Sequence, residues 1–269
     1  MSEYLLLAVL MLATGLVGGV MAGLLGIGGG IVIVPVLEAV LRLLDVDESI
    51  RMHIAVGTSL ATIIPTSISS SRAHHRRGAV DTALARRWFA FVLVGSLLGA
   101  WIASLVHSDV LSAVFAVVVL LIAVKLLLPI DEYRLAPAVP GGALIKLLPT
   151  GIGTVSSMMG IGGGTLSVAA LTLLGQPIHR AVGTAALFGL AISLPGTLGF
   201  VVAGWGRPGL PAGSLGFVNL IGFALISPMT FLAAPLGAAI AHRLSRRQLS
   251  VLFGGFLLLT AARMGWEAL

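Results

Sequence analysis

The stretch LLGIGGGIVIVPVL, Leu24 to Leu37, decides how this chain folds, because its core returns as MMGIGGGTLSVAAL, Met158 to Leu171. Gly28, Gly29 and Gly30 recur as Gly162, Gly163 and Gly164, an offset of 134 residues from Gly28 to Gly162. A second pair follows in the same order: HIAVGTS, His53 to Ser59, returns as HRAVGTA, His179 to Ala185, at an offset of 126 from His53 to His179. Two ordered matches make the chain a duplication, with eight extra residues in the connector of the first copy.

Three successive glycines destabilise a helix by about 1 kcal/mol each relative to alanine. GIGGG therefore reads as a break rather than a helix interior. On either side the chain is apolar: 58% of the 269 residues are hydrophobic and 10% charged, against about 25% charged in soluble domains. Mean hydropathy is +1.09. This is the composition of an all-α polytopic membrane protein. The absence of cysteine excludes disulfides, thiolate metal sites and cysteine nucleophiles. The formal charge of +6 is concentrated in two loops, which argues for membrane topology and against nucleic acid as a partner.

Apolar runs at 4–22, 88–106, 110–128, 181–203, 212–239 and 249–266 approach the roughly 20 residues needed to cross hydrocarbon. The first of them reads as a membrane segment rather than a signal peptide, since no basic residue precedes it. Residues 55–70 and 143–157 are somewhat short, while 31–44 and 165–174 would rise only about 21 and 15 Å. The last two are expected to be partial spans forming hairpins with their neighbours. That gives five segments per copy, a first repeat over 1–130 and a second over 143–269, joined near Pro129 to Gly142.

Residues 71–87 hold five arginines and one aspartate, which places that loop in the cytoplasm. The loop after the matching helix of copy two, GWGRPGLP, holds one arginine, and the second basic cluster (Arg243, Arg246, Arg247) comes one helix later. The two copies are therefore expected to be inverted, with both termini outside the cytoplasm. Asp45, Asp47 and Glu48 then fall outside as well.

Broken backbone at membrane depth must line a cavity or be buried in protein. A break followed by a fresh helix offers free amides and the positive end of a dipole, a place for an anion. Neither cluster is followed by Lys-Ser or Lys-Thr, and the dinucleotide glycine spacing is missing, so a nucleotide site is not expected. The candidate substrate-binding residues are Gly28, Gly29 and Gly30 with Gly162, Gly163 and Gly164, joined by the hydroxyls of Thr58, Ser59 and Thr184. His53 and His179 are candidates for proton coupling. Gly95 and Gly99 read as packing residues, and Glu38 as an interfacial partner of Arg42 four residues on. HExxH, paired catalytic carboxylates and a Ser-His-Asp pattern are missing from the apolar region, so no enzyme, metal or cofactor is expected.

Taken together, GLLGIGGGIVIVPVL with Pro35, AVGTS at Ala55 to Ser59, and their second copies GIGGGTLSVAAL and AVGTA resemble the sulfite exporter TauE/SafE family, also called the four-toluene-sulfonate uptake permeases. Copy two departs in having Ala169 in place of Pro35 and Ala185 in place of Ser59. The resemblance spans essentially the whole chain. It implies a multi-pass inner-membrane protein that moves small sulfur-containing or organic anions in a direction the family does not fix. The expected function is thus a secondary transporter using alternating access, with lipid bilayer and a small anion as partners. An anion channel or a non-transporting scaffold subunit are the alternatives.

Overall fold

The computed structural model describes residues 2–26, 28–127, 143–241 and 246–267. The expected connector at Pro129 to Gly142 and the basic residue Arg243 lie outside the described residues. Ten helices follow in order: α1 (Ser2–Leu25), α2 (Gly30–Leu43), α3 (Glu48–His75), α4 (Thr82–Leu105), α5 (Ser108–Leu127), α6 (Leu144–Met159), α7 (Gly164–Leu173), α8 (Ile178–Ala203), α9 (Leu220–Ala241) and α10 (Arg246–Glu267). Two short antiparallel strands, β1 (Ser214–Leu215) and β2 (Val218–Asn219), precede α9. The chain is an all-α polytopic membrane protein with five helical segments per copy. As expected, α2 and α7 are short, at 14 and 10 residues.

Helix directions follow from the order of their contacts. Gly15, Gly19 and Gly23 of α1 meet Ile226, Thr230 and Ala234 of α9 in turn, so these two helices run in parallel. Gly95 and Gly99 of α4 meet Thr150 and Thr154 of α6 in the same sense. By contrast, Gly57, Leu60 and Ser67 of α3 meet Phe200, Gly196 and Gly189 of α8, an antiparallel pairing. Helix α3 is parallel to α9 through the bonded pairs Thr58–Asn219 and Thr66–Thr230, and α4 is parallel to α8 through Ser96–Ile192 and the packed pair Ala100–Gly199. Helices α1, α3 and α9 therefore run one way, and α4, α6 and α8 the other. With α5 antiparallel to α10, corresponding long helices of the two copies run in opposite directions. This is the inverted repeat.

The packing partners are not the sequence copies. Helix α1 packs chiefly on α9, and α4 chiefly on α6 and α8. One bundle therefore comprises α1, α2, α3 and α9, and the other α6, α7, α8 and α4. The fourth helix of each repeat is exchanged, the bundles meet along α3 and α8, and α5 and α10 pair with each other. Glycine makes the exchanged contacts close: a Cβ on Gly23 would collide with the Ala234 carbonyl, and one on Gly95 or Gly99 with the Thr150 or Thr154 carbonyl. Gly95 and Gly99 are thus packing residues, as their spacing indicates.

Two segments differ from expectation. The stretch 55–70 belongs to a 28-residue helix rather than a short one, and 83% of its most apolar window is buried in protein. A helix surrounded by other helices need not be apolar towards lipid, and α3 carries Ser, Thr and His along its length for that reason. The run 212–239 is also not one span: its first residues form the β1–β2 hairpin, and the helix starts at Leu220. Gly213 and Gly216, at φ 76° and 56°, shape that hairpin.

The two ends of the bundle differ in charge. Arg72, Arg76, Arg77, Arg86 and Arg87 surround the α3–α4 turn, and Arg247 donates to the Leu127 carbonyl at the end of α5, on the same end. Asp45, Asp47 and Glu48 sit at the opposite end with the hairpin.

Candidate functional site

The two glycine breaks adopt one geometry twice. Gly26, Gly28 and Gly29 have φ of 67°, 74° and 79°; Gly160, Gly162 and Gly163, each 134 residues on, have 69°, 69° and 74°. A side chain in that left-handed region costs about 1–2 kcal/mol, so glycine at all six positions is a backbone requirement. Gly29 and Gly163 cap the N-termini of α2 and α7, neither with a side-chain cap hydrogen bond. Gly30 and Gly164 open those helices.

The breaks meet in the middle of the molecule. Gly30 lies against the Gly160 carbonyl and the Ile161 Cα. Gly26 faces the Val182 carbonyl of α8, and Gly160 faces Val56 of α3, its counterpart at the 126-residue offset. Both breaks touch one side chain: a Cβ on Gly28 would lie 2.9 Å from the Ile63 Cγ2, and one on Gly162 2.7 Å from the same atom. Ile63 of α3 thus stands between them, fully buried.

The structure gives the candidate hydroxyls definite partners. Ser59 donates to the Gly160 carbonyl at 2.7 Å and so ties α3 to the opposite break. Thr58 accepts from the Asn219 N–H at 2.8 Å, and Thr184 from the Asp81 N–H at 3.0 Å. Asp81 caps α4 and Asn219 immediately precedes α9. The two threonines therefore fix the entries of the two exchanged helices, the same task in each copy. An accepting hydroxyl retains its own proton for a further acceptor.

The histidines are not equivalent. His53 is buried against Phe217, ring centroids 5.0 Å apart, with Nε2 3.0 Å from the Ala103 carbonyl and Nδ1 3.3 Å from the Ser108 hydroxyl. It thereby joins α3 to the α4–α5 turn. His179 is exposed at the start of α8. Glu38 is bonded to Arg42 at 3.1 Å as expected, and Arg51 of α3 also approaches it at 3.8 Å while bonding Glu48 at 2.8 Å. The last contact but one is invisible to helix spacing because it crosses from α2 to α3. Lys125 near the end of α5 donates to the Ala169 carbonyl at 2.8 Å and the Thr172 hydroxyl at 3.3 Å, neutralising the C-terminal half of α7.

Two cavities open at opposite ends of the bundle. One of about 700 Å³ opens at the acidic end, with Leu37, Ile54 and Asn219 in its wall and Asp45 and Asp47 on its rim. The Ser49 hydroxyl and N–H hold the Asp47 carboxyl below its ordinary range, keeping that rim charged. The other, about 380 Å³, lies at the basic end between Ser71, Arg72, His75, Arg76 and Leu187. Among the described residues no cluster of three His, Asp or Glu side chains is disposed to hold a metal ion.

Sequence reasoning passed over a set of hydroxyls beside the second break. Ser156 and Ser157 at the end of α6, Thr165 and Ser167 at the start of α7, and Ser193 of α8 are all buried, and none of the five hydroxyls has a hydrogen-bond partner. Their signal was the pattern TVSS before the glycines and TLS after them, which copy one lacks.

Six helices are long and apolar enough to cross a membrane among the described residues, α7 being a shorter apolar one. Comparison with known proteins agrees with this architecture. The chain is 35% identical over 262 residues to a probable membrane transporter protein of Haemophilus influenzae, covering 95% of this chain and 97% of that one. Probable membrane transporter proteins of Bacillus subtilis (26% over 283 residues, 97% and 98% covered) and Methanocaldococcus jannaschii (25% over 275 residues, 95% and 94%) are also similar. No solved structure matches it. The pattern of one family matches residues 11–264, nearly the full length, and on that match the chain belongs to the sulfite exporter TauE/SafE family.

Proposed function

We propose that the protein is a secondary transporter of small anions, sulfur-containing or organic, and that the substrate binds where the two glycine breaks meet. The observation that carries this reading is the convergence of two glycine-capped helix N-termini, α2 and α7, on Ile63 from opposite directions. Helix starts present unpaired amides and positive dipole ends, the usual way a broken-helix transporter receives an anion at mid-membrane. Gly28 to Gly30 and Gly162 to Gly164 supply the backbone, and Thr58, Ser59 and Thr184 border it. The basic end faces the cytoplasm, which puts the second cavity, with Arg72 and Arg76, on the cytoplasmic side.

The repeats at 1–130 and 143–269 supply the two-fold symmetry, while the moving bodies are the exchanged bundles. The bundle of α1, α2, α3 and α9 rocks against that of α6, α7, α8 and α4 along the α3–α8 contact, exposing the breaks to one side of the membrane and then the other. The relatives' names as probable membrane transporters support the functional class.

The test uses purified protein in liposomes with labelled sulfoacetate and sulfite. Uptake is expected to saturate and to accelerate when unlabelled substrate is present on the far side. Flux that rises linearly with concentration would instead indicate a channel. Because the chain lacks cysteine, the pair Ser67→Cys and Gly189→Cys can report on the motion directly. A Cβ on Gly189 would lie 3.2 Å from that of Ser67, near the roughly 3.5–4.5 Å of a disulfide. Oxidation is expected to stop transport and reduction to restore it; transport unaffected by the cross-link would refute rocking along α3–α8.

A further inference from the structure

The two breaks share a backbone but not a chemistry. Around the first, the positions that match Ser156, Ser157, Thr165 and Ser167 at the 134-residue offset are Ala22, Gly23, Ile31 and Ile33. The rest of the first bundle does contain buried hydroxyls, and most of them are bonded. Thr62 donates to the Ser59 carbonyl, Thr66 to the Thr62 carbonyl and Thr230 hydroxyl, Ser69 to the Phe231 carbonyl and Thr230 to the Ser227 carbonyl, all between 2.6 and 2.9 Å. Ser70 is buried without a partner.

Immediately around the second break the balance is the reverse. Ser156, Ser157 and Ser193 are 0% exposed, Ser167 0% and Thr165 4%, and all five hydroxyls lack a partner. A buried hydroxyl without a partner costs about as much as a lost hydrogen bond, and a serine or threonine in a helix can ordinarily remove that cost by donating to its own carbonyl a turn back. Five unbonded buried hydroxyls, four of them within seven residues of Gly163, therefore call for an acceptor from outside the chain. Position supports the same reading. The Ser156 hydroxyl lies 3.5 Å from where a Cβ on Gly163, the cap of α7, would sit. Thr165 and Ser167 occupy the first turn of α7, and Ile192, the neighbour of Ser193, lies over Gly163. The Ser157 hydroxyl lies beside Gly196 of α8, 2.8 Å from where its Cβ would be. The other end of this ten-residue helix is held by Lys125.

We infer that these hydroxyls are the donors for a substrate oxyanion at the N-terminus of α7, so that the site is chemically one-sided. The charged oxygens face Ser156, Ser157, Thr165, Ser167 and Ser193 of the second bundle, and the remainder of the ligand faces Ile63 of the first. Hydroxyl donors suit an oxyanion with several acceptor oxygens, and because no full ion pair has to be broken they also permit release. This inference rests on the transport reading above and assigns the polar half of that site.

The experiment measures binding of sulfite, sulfoacetate and acetate to the purified full-length protein by thermal shift and calorimetry. It compares wild type with Ser156→Ala, Ser167→Ala and, as a control in the first bundle, Ser69→Ala. Ser156→Ala and Ser167→Ala are each expected to weaken binding about tenfold, 1.4 kcal/mol, with a ligand-free melting temperature equal to or above wild type, because each removes an orphan hydroxyl. Ser69→Ala is expected to keep the affinity and lower the melting temperature, because it removes a bonded one. Binding changed less than fivefold in both cluster variants overturns the assignment while leaving the transport reading standing. A loss of affinity that comes with a lowered ligand-free melting temperature also overturns it, since the hydroxyl was then supporting the empty fold. A wild type that responds to none of the three anions overturns this inference and the transport reading together.

Discussion

Ile63 allows the meeting of the two breaks to be tested without any ligand. The perturbations are Gly28→Ala, Gly162→Ala and Ile63→Ala, alone and combined. Each glycine change carries two costs. The first is the left-handed backbone, φ 74° or 69°, worth about 1–2 kcal/mol. The second is steric: the new Cβ would stand 2.9 or 2.7 Å from the Ile63 Cγ2, an overpacking worth about 1–3 kcal/mol. Ile63→Ala alone opens a cavity, about 2–5 kcal/mol. It also removes every Ile63 atom that the new methyl would meet, so in its background each glycine variant should keep the backbone cost and lose the steric one. The expected coupling is about 1–3 kcal/mol, favourable, and present for both glycines. Thermal unfolding in detergent at one fixed scan rate measures it. Additive behaviour for both glycines would refute the convergence, and coupling to one alone would show that only that break lies against Ile63. Valine at Gly29 or Gly163 is a poorer probe, because its Cβ would collide with Gly18 or Ile192 and test the fold along with the site.

Thr58→Val and Thr184→Val each leave a backbone N–H without its acceptor, so both should lower stability by about 1–3 kcal/mol; an effect in only one would break the equivalence of the two copies. On α6, Gly151 has open space around it whereas a Cβ on Gly153 would strike the Val92 carbonyl. Gly151→Ala should therefore raise the stability slightly, by up to about 1 kcal/mol, while Gly153→Ala lowers it; equal effects would refute the α4–α6 register. Arg42 is 42% exposed and Arg51 12%, so Arg42→Met should cost less than about 1 kcal/mol and Arg51→Met about 3, a ranking that unfolding measurements can reverse. His53→Gln should shift the pH profile of uptake if His53 carries the coupled proton; a profile superimposable on wild type removes it from that role.

The duplication, the breaks and the short α2 and α7 were legible because glycine and run length speak directly to backbone and membrane thickness. Helix α3 was under-read because its surroundings are protein, so its Ser59, Thr62, Thr66 and Ser67 lower its hydropathy without exposing it to lipid. The β1–β2 hairpin was hidden because Leu215, Phe217 and Val218 are apolar enough to extend the run into α9. The exchange of α4 and α9 leaves no mark in sequence, since similarity identifies which segments are copies and not which ones touch. Ser156 and Ser167 escaped notice for another reason: a hydroxyl in a membrane helix ordinarily bonds its own backbone, and only the fold reveals that these do not.

The exchanged helices have a consequence for how the protein is made. The groove-forming glycines of α1, Gly15, Gly19 and Gly23, find their complement only in α9, about two hundred residues later in synthesis, and the close face of α4 must wait for α6. Neither half of the chain is a body that closes on itself after insertion. A first half synthesised alone is expected to sit in the bilayer with two small-residue faces unfilled, a target for quality control. Supplied as separate chains, the halves should persist only when made together, each completing the other.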